Sequence, residues 1–302
     1  MDRFEAMSTL LAIVGKGSLS AASRALHVPV TTVSRRLSDL EALLGTRLLI
    51  RTTRKLTLTD AGAAYVEAAR RIVAQVEEAE REAAGEFLAP RGELVLSAPI
   101  LFGRLHVLPV VADFLAQFAE INVRLLLSDR NAHLVEDHVD MAVRIGRLPD
   151  SSMVATRVGS MRTVICASPA LLAAHGAPQV PEDLQRFPCV SVDTPMPIAA
   201  WLVRKPKSGA LVEIPVVSRL SVSTAEAAAD AAIRGIGATR LLHYQVADAV
   251  QAGKLRIILK PFEPEPAPIH LVHAARGHMP LKMRRFIDFA VPRLRKALDR
   301  FD

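Results

Sequence analysis

Apolar side chains recur at helical intervals over the first 45 residues of the chain. Phe4, Met7, Leu10, Leu11 and Val14 mark one stripe, preceded by Asp2 and Glu5 at capping-box spacing and closed by Gly15 and Gly17. Ser18 can cap a second helix, whose stripe is Leu19, Ala22 and Leu26. His27-Val28-Pro29 breaks it, because proline lacks an N–H and restricts the residue before it. The pattern then predicts a third helix with Val33, Leu37, Leu40 and Leu44 inward and Gly45 at its end. Three short helices broken near Pro29 have the spacing of a helix-turn-helix. Lys55-Leu56-Thr57-Leu58-Thr59 alternates with period two and predicts a strand.

From Asp60 to Ala89 there is no proline, and Tyr65, Ala69, Ile72, Val76, Ala79 and Ala83 step by three and four. That is a narrow a/d seam flanked by charges, the pattern of a helix that pairs with another. A second copy of the chain and a neighbour within the same domain are the two available partners. Ala89-Pro90-Arg91-Gly92 reads as a linker.

Beyond it, strand and helix patterns alternate. Glu93–Ala98, Ile121–Ser128 and Met141–Ile145 read as strands, with a helix over Ile100–Ala119 and a short one around Ala132–Asp137. Thr163–Ala167 opens a second set through Cys189–Val192, the helix Thr224–Arg234 and the strand Lys254–Leu259. The strand Ile269–Ala274 and helix Leu281–Leu298 fit the first set better. Such alternation implies parallel sheets covered by helices. It divides the chain into residues 1–59, a linker helix 60–89 and an α/β region 90–302. The α/β region splits into one lobe of about 90–162 plus 268–302 and another of about 163–267, with crossings near Ser160–Arg162 and Glu265–Pro268. A cleft between two such lobes suits a small ligand.

Charge sharpens this division. The chain of 302 residues has a net charge of +7, distributed as +4 over residues 1–60, −3 over 61–90, +2 over 91–280 and +4 over 281–302. Four basic residues and no acidic one lie between Thr46 and Thr59. A basic wing beside a helix-turn-helix points to a polyanion, and double-stranded DNA is the expected partner. Two cysteines make no disulfide framework and suit a reducing, cytoplasmic setting. The charged N-terminus is not expected to be a secretory signal. No uninterrupted apolar run approaches the roughly 18 residues of a membrane span, so no membrane partner is expected.

On the third helix, Thr31, Thr32, Ser34, Arg35 and Arg36 lie off the buried stripe near the N-terminal end, where free N–H groups and the helix dipole favour phosphate. Short hydroxyls permit close approach to base edges, and arginine can take guanine bidentately. A solvated helix face is the alternative.

Residues 18–62 resemble the N-terminal signature of the LysR-type transcriptional regulators. Ser18 to Leu26 match the second helix, and Thr32-Val33-Ser34-Arg35 open the recognition helix. Leu40-Glu41 and Leu44-Gly45 close it, Arg51-Thr52-Thr53-Arg54 form the wing, and Leu58-Thr59-Asp60-Ala61-Gly62 start the linker helix. The remaining length and layout agree. The resemblance implies an N-terminal all-α winged helix-turn-helix with a long linker helix, and a C-terminal α/β two-lobed domain like the periplasmic binding proteins. It also implies a homodimer or homotetramer that binds a promoter dyad, with RNA polymerase as a candidate partner. Thr31, Thr32, Ser34 and Arg35 would enter the major groove, while Arg51, Arg54 and Lys55 would hold phosphate or a flanking minor groove. Pro29 stands where many relatives have a serine-like cap, and Val30 where a polar residue is common. That substitution leaves the fold intact and gives Val30 only an apolar contact to offer.

By the same resemblance the turn Ser97-Ala98-Pro99-Ile100-Leu101-Phe102-Gly103 lines the effector cleft, with Ser97, Ala98, Pro99, Ile100, Phe102 and Gly103 as contacts. Ser97 and the helix start could receive a carboxylate, while Pro99, Ile100 and Phe102 favour an apolar body, so a small acid or an aromatic is the expected effector. Arg144 and Gly146 sit at the matching rim, and Trp201 and Thr224 come from the other lobe. Each has a packing alternative: Phe102 as core, Arg144 as a salt-bridged rim residue, Trp201 as lobe packing.

An enzyme is the competing class, and the sequence disfavours it. His270 and His273 fall three apart in a strand and so face opposite sides. His133 and His138 lack a third donor at ligand spacing, and no nucleophile elbow, phosphate loop or zinc-protease motif occurs. No metal, no cofactor and no catalytic residue is expected. Cys166 and Cys189 lie in apolar strand sequences that suit inert core thiols.

Overall fold

The computed structural model describes residues 2–51, 56–83, 90–130, 134, 136–148, 153–192, 200–275 and 279–301. The chain forms two compact units, residues 1–89 and 90–302.

The first unit opens with α1 (Arg3–Lys16), α2 (Leu19–Leu26) and α3 (Val30–Leu44). Asp2 Oδ1 accepts from Phe4 N at 2.8 Å and from Glu5 N at 3.3 Å, so the cap forms as read. Glu5 turns instead to Arg36. Gly17 and Gly45 end α1 and α3 with φ of +72° and +66°, a backbone that glycine enters without Cβ strain. His27 takes the same left-handed form between α2 and α3 at φ +55°. Ala6, Leu10, Ile13, Ala22, Val33, Leu37 and Leu40 close a common core. Leu44, expected inward, is 38% exposed: the last turn of α3 runs past the core and into its glycine cap.

β1 (Leu49–Arg51) and β2 (Leu56–Leu58) pair antiparallel, Leu49 opposite Leu58, to make the wing. α4 (Asp60–Ala83) follows. It contacts α1, with Val66 in the head core, Ala69 buried and Tyr65 half-buried; the expected seam omits Val66. Farther along the seam Ile72 is 41% exposed.

The second unit has two lobes. In lobe I, β3 (Gly92–Ala98) leads into α5 (Ile100–Phe102), a π-helical turn Gly103–Val107, and α6 (Leu108–Gln117). This 18-residue stretch is apolar and long enough to cross a membrane by composition. It carries Arg104 and Asp113, however, and buries Phe102, Val107, Val110, Val111 and Phe114 in its own lobe. β4 (Ile121–Leu127), β5 (Met141–Ile145) and β6 (Met153–Met161) complete the outgoing chain. Of the short helix expected around residues 132–137, residues 134, 136 and 137 form turns, and 132, 133 and 135 lie outside the described residues.

Lobe II contains β7 (Thr163–Ala167), α7 (Pro169–His175), β8 (Cys189–Val192), the hairpin β9 (Ala200–Arg204) and β10 (Leu211–Pro215), and β11 (Ser218–Val222). It continues with α8 (Ala225–Ile233), β12 (Ala238–Leu242), α9 (His243–Gln251) and β13 (Arg256–Ile258). The chain then returns to lobe I as β14 (Ala267–Ala274) and α10 (Leu281–Leu298).

Neither large sheet is purely parallel, as the alternation implied. Lobe I runs β4-β3-β5-β14-β6, with β14 antiparallel to both neighbours. Lobe II runs β11-β8-β12-β7-β13, with β7 antiparallel to β12 and β13. The cause is the double crossing: a strand that returns from the other lobe enters its sheet from the opposite end.

Candidate DNA-binding head and ligand cleft

The head is built around the turn from α2 to α3. Ser18 Oγ accepts from Ala21 N at 3.1 Å, and Ser23 Oγ donates to Val28 O at 2.6 Å, which fixes the chain entering Pro29. Pro29 supplies no side-chain cap to α3. A helix start without a side-chain cap keeps N–H groups for an outside acceptor, as phosphate sites require. With Val33 and Leu37 buried, Thr31 and Arg35 are exposed, and Thr32 and Ser34 are half-buried. Arg36 differs from Arg35: its guanidinium donates to Glu5 at 2.7 Å, tying α3 to α1.

The wing is held from below. Glu41, on α3, accepts from Leu48 N at 2.8 Å and Leu49 N at 3.1 Å with one carboxylate oxygen. Thr59 Oγ1 donates to Arg47 O at 2.8 Å and accepts from Gly62 N at 2.9 Å, so it joins the wing to the first turn of α4. Arg51 ends β1. Arg54 and Lys55 lie outside the described residues.

The cleft turn is more closed than its sequence suggests. Ser97, Ala98 and Gly103 are buried, Pro99 is half-buried and Ile100 is 37% exposed. Phe102 is wholly buried in the lobe I core and has no surface to offer a ligand. Trp201 is likewise buried, in the core of lobe II, opposite Ile214. Both follow the packing alternative, because each ring lies beneath its own sheet or hairpin face. The helix start is already occupied: Ile100 N donates to Asp129 Oδ1 at 3.0 Å. The carboxylate expected there from a ligand is supplied by the chain itself, from the loop after β4. Thr224 Oγ1 caps α8 by accepting from Ala227 N at 3.2 Å. Arg144, half-buried on β5, sits opposite His270 of β14, and burial lowers its pKa. Gly146 has φ +114° and donates to Pro268 O at 2.9 Å, beside the returning crossing.

Three residues without a sequence signal join the lobes. Tyr244, at the start of α9, packs edge-on against Phe102 at 5.5 Å and His106 at 5.8 Å between ring centroids. His106 and His243 both approach Phe301, at 5.7 and 5.8 Å. Burial raises the Tyr244 pKa, and the nearby Asp129 and Glu226 carboxylates push the same way. His106 is pushed down to about 4 by burial and by Arg300. The aromatic signal was unreadable because these residues lie on helices more than a hundred residues apart.

Cys166 and Cys189 pack on opposite faces of the lobe II sheet, Cys166 with Val164 and Val190, Cys189 with Phe187 and Trp201. Burial pushes each thiol up to about 12. Among the described residues no group of three or more His, Cys, Asp or Glu side chains is placed to hold a metal.

Residues 4–63 match the family described as bacterial regulatory helix-turn-helix protein, lysR family, and residues 89–295 match the LysR substrate binding domain. An HTH-type transcriptional repressor of Pseudomonas aeruginosa is 33% identical over 300 residues, covering 96% of this chain and 92% of that protein. The HTH-type transcriptional regulator CrgA of Neisseria meningitidis serogroup B is 31% identical over 292 residues, 96% of each chain. The solved structure of CrgA from that species superposes with a TM-score of 0.60 at 30% identity, covering 96% of this chain and 98% of that one. The full-length Vibrio cholerae virulence activator AphB gives 0.60 at 26%, with 96% and 99% covered. A winged helix-turn-helix joined to a two-lobed effector-binding domain, matched over nearly the whole chain, makes this protein a member of the LysR family of DNA-binding transcriptional regulators.

Proposed function

We propose that the protein acts in the cytoplasm as a homodimer or homotetramer that grips an interrupted promoter dyad with two α3 helices. Thr31, Thr32, Ser34 and Arg35 read or approach the major groove, and Arg51, Arg54 and Lys55 hold the backbone beside it. The observation that carries this reading is the uncapped start of α3, with Thr31 and Arg35 outward over a packed core. The exposed Ile72 on the α4 seam supports pairing with a second copy. On this reading the chain divides at 59 and 89 into head, linker helix and effector domain, with no catalysis, and transcription depends on contact with RNA polymerase.

The effector sits between the lobes, against Pro99 and Ile100 from lobe I and the Thr224 helix start from lobe II, with Ser97, Arg144 and Gly146 near the rim. Asp129 on the Ile100 N–H favours an aromatic over an acidic effector, since an acid would displace one carboxylate with another. The ligand acts by favouring one lobe arrangement over the other.

The test is binding to the DNA upstream of its own gene at several salt concentrations, with light scattering on the free protein. Affinity should fall steeply with salt. A salt-independent affinity contradicts the DNA reading, and a monomer at micromolar concentration contradicts the dimer.

A further inference from the structure

The β9–β10 hairpin of lobe II turns one face inward. Val203 lies opposite Val212 on that face, and Trp201 lies opposite Ile214. Val203 and Ile214 are buried. With Val212 and Phe262, from the 3-10 turn Lys260–Phe262, they wall an open cavity of about 400 Å³. A cavity of about 150 Å³ already holds a benzene-sized guest, and sites for small molecules span roughly 300–1,000 Å³. The volume lies within that range.

The rim is charged and unbalanced. Lys205 and Lys207 project from the hairpin turn, which is closed by Lys205 N donating to Ala210 O at 2.9 Å and Gly209 N to Lys205 O at 2.8 Å. Neither ammonium has an ion-pair partner among the described residues. Glu182 is the acid on the same rim. Apolar walls below two uncompensated cations fit a hydrocarbon body with one anionic head, and Glu182 repels a second negative charge.

We propose that lobe II carries a second small-molecule site, beneath the β9–β10 hairpin, for an amphiphilic monocarboxylate. Its hydrocarbon body lies chiefly on the half-buried Val212 and Phe262, over the edges of Val203 and Ile214, and its carboxylate meets Lys205 and Lys207. None of these residues is among those assigned to the cleft between the lobes.

The molecule contains its own reporter, because its single tryptophan, Trp201, is two residues from Val203 on the same strand face. Sodium octanoate titrated into the full chain should change Trp201 emission saturably and release or absorb heat with the same midpoint. 1-Octanol should bind at least tenfold more weakly. The exposed pair Lys205→Glu/Lys207→Glu should weaken octanoate at least tenfold, while Lys254→Glu, elsewhere on lobe II, leaves it unchanged. Octanol as strong as octanoate, octanoate indifferent to the double reversal, or no saturable signal by either method overturns the site.

Discussion

Arg162 and Glu263 join the two crossings between the lobes through a bidentate pair: Nε donates to one carboxylate oxygen at 2.8 Å and a terminal nitrogen to the other at 2.7 Å. Arg162 is the single residue between β6 and β7, and Glu263 precedes the return into β14. The two crossing segments are therefore pinned to each other by a fork-to-fork contact, which fixes orientation as well as distance. The pair raises the Arg162 pKa, chiefly through the hydrogen bond.

Glu263→Gln removes the charge and half of the fork while keeping the shape. The expected cost is about 1.5–3 kcal/mol of unfolding free energy, the range for hydrogen bonds to charged groups. Urea denaturation of the full chain measures it. A midpoint unchanged from wild type would mean that the crossings are held by the aromatic cluster alone.

That cluster makes stability depend on pH. His106 is held near 4, against 6.5 for the free side chain, and so is neutral in the folded protein. As pH falls below about 6.5 the unfolded chain takes up the proton first. The contribution of His106 is thus fully present above 6.5 and lost as pH falls toward 4. Its slope approaches about 1.4 kcal/mol per pH unit between those values. His106→Leu should flatten the fall in unfolding free energy between pH 6.5 and 5. His243 and His270 are shifted in the same direction by burial, so a smaller slope remains. A variant with the full wild-type slope would remove His106 as the cause.

Arg35 and Arg36 are neighbours with different tasks. Arg35 faces outward, so Arg35→Ala should cost about 1–3 kcal/mol of operator affinity if it reads a base. Arg36 is spent on Glu5, and a partly exposed pair of this kind contributes about 0.2–1 kcal/mol to stability. Fluorescence anisotropy with labelled operator, paired with thermal unfolding, separates the two. Equal losses of operator affinity in both variants would contradict the division.

The head was the most legible part of the chain, because its helices carry a full apolar stripe and end in glycine or proline. The strand β5 and the helix α10 were legible from the spacing of their apolar residues. β6 was not: Thr156, Arg157, Gly159 and Ser160 give it no apolar alternation, and its pairing with β14 comes from residues a hundred positions away. The β9–β10 hairpin shares that defect, with a charged turn between two short strands. In the cleft, the turn Ser97–Gly103 could be located from sequence, but residue type could not tell Phe102 in the core from Phe102 on a wall. Nor could it reveal Asp129, which reaches Ile100 only because β4 lies beside β3.

Gly62 turns a motif residue into a steric requirement. A Cβ built there would stand 2.0 Å from Leu48 O, far inside contact distance. Leu48 cannot retreat: its N–H is held by Glu41, and its carbonyl accepts from Thr59 N at 3.0 Å. Gly62→Ala should therefore force α4 away from the wing and cost at least the roughly 1–3 kcal/mol of overpacking. Gly15 provides the opposite case inside α1, where nothing lies within 4 Å of an added Cβ. Gly15→Ala should stabilise the head by about 0.5–1 kcal/mol, the ordinary helical preference for alanine. Hydrogen exchange on the full chain reads both, since the amides of α1, α3 and the start of α4 should lose protection in the first variant and gain it in the second. Operator affinity should fall with Gly62→Ala and hold with Gly15→Ala. If Gly62→Ala left exchange and affinity intact, the close approach of α4 to Leu48 would be wrong, and the glycine would need another explanation.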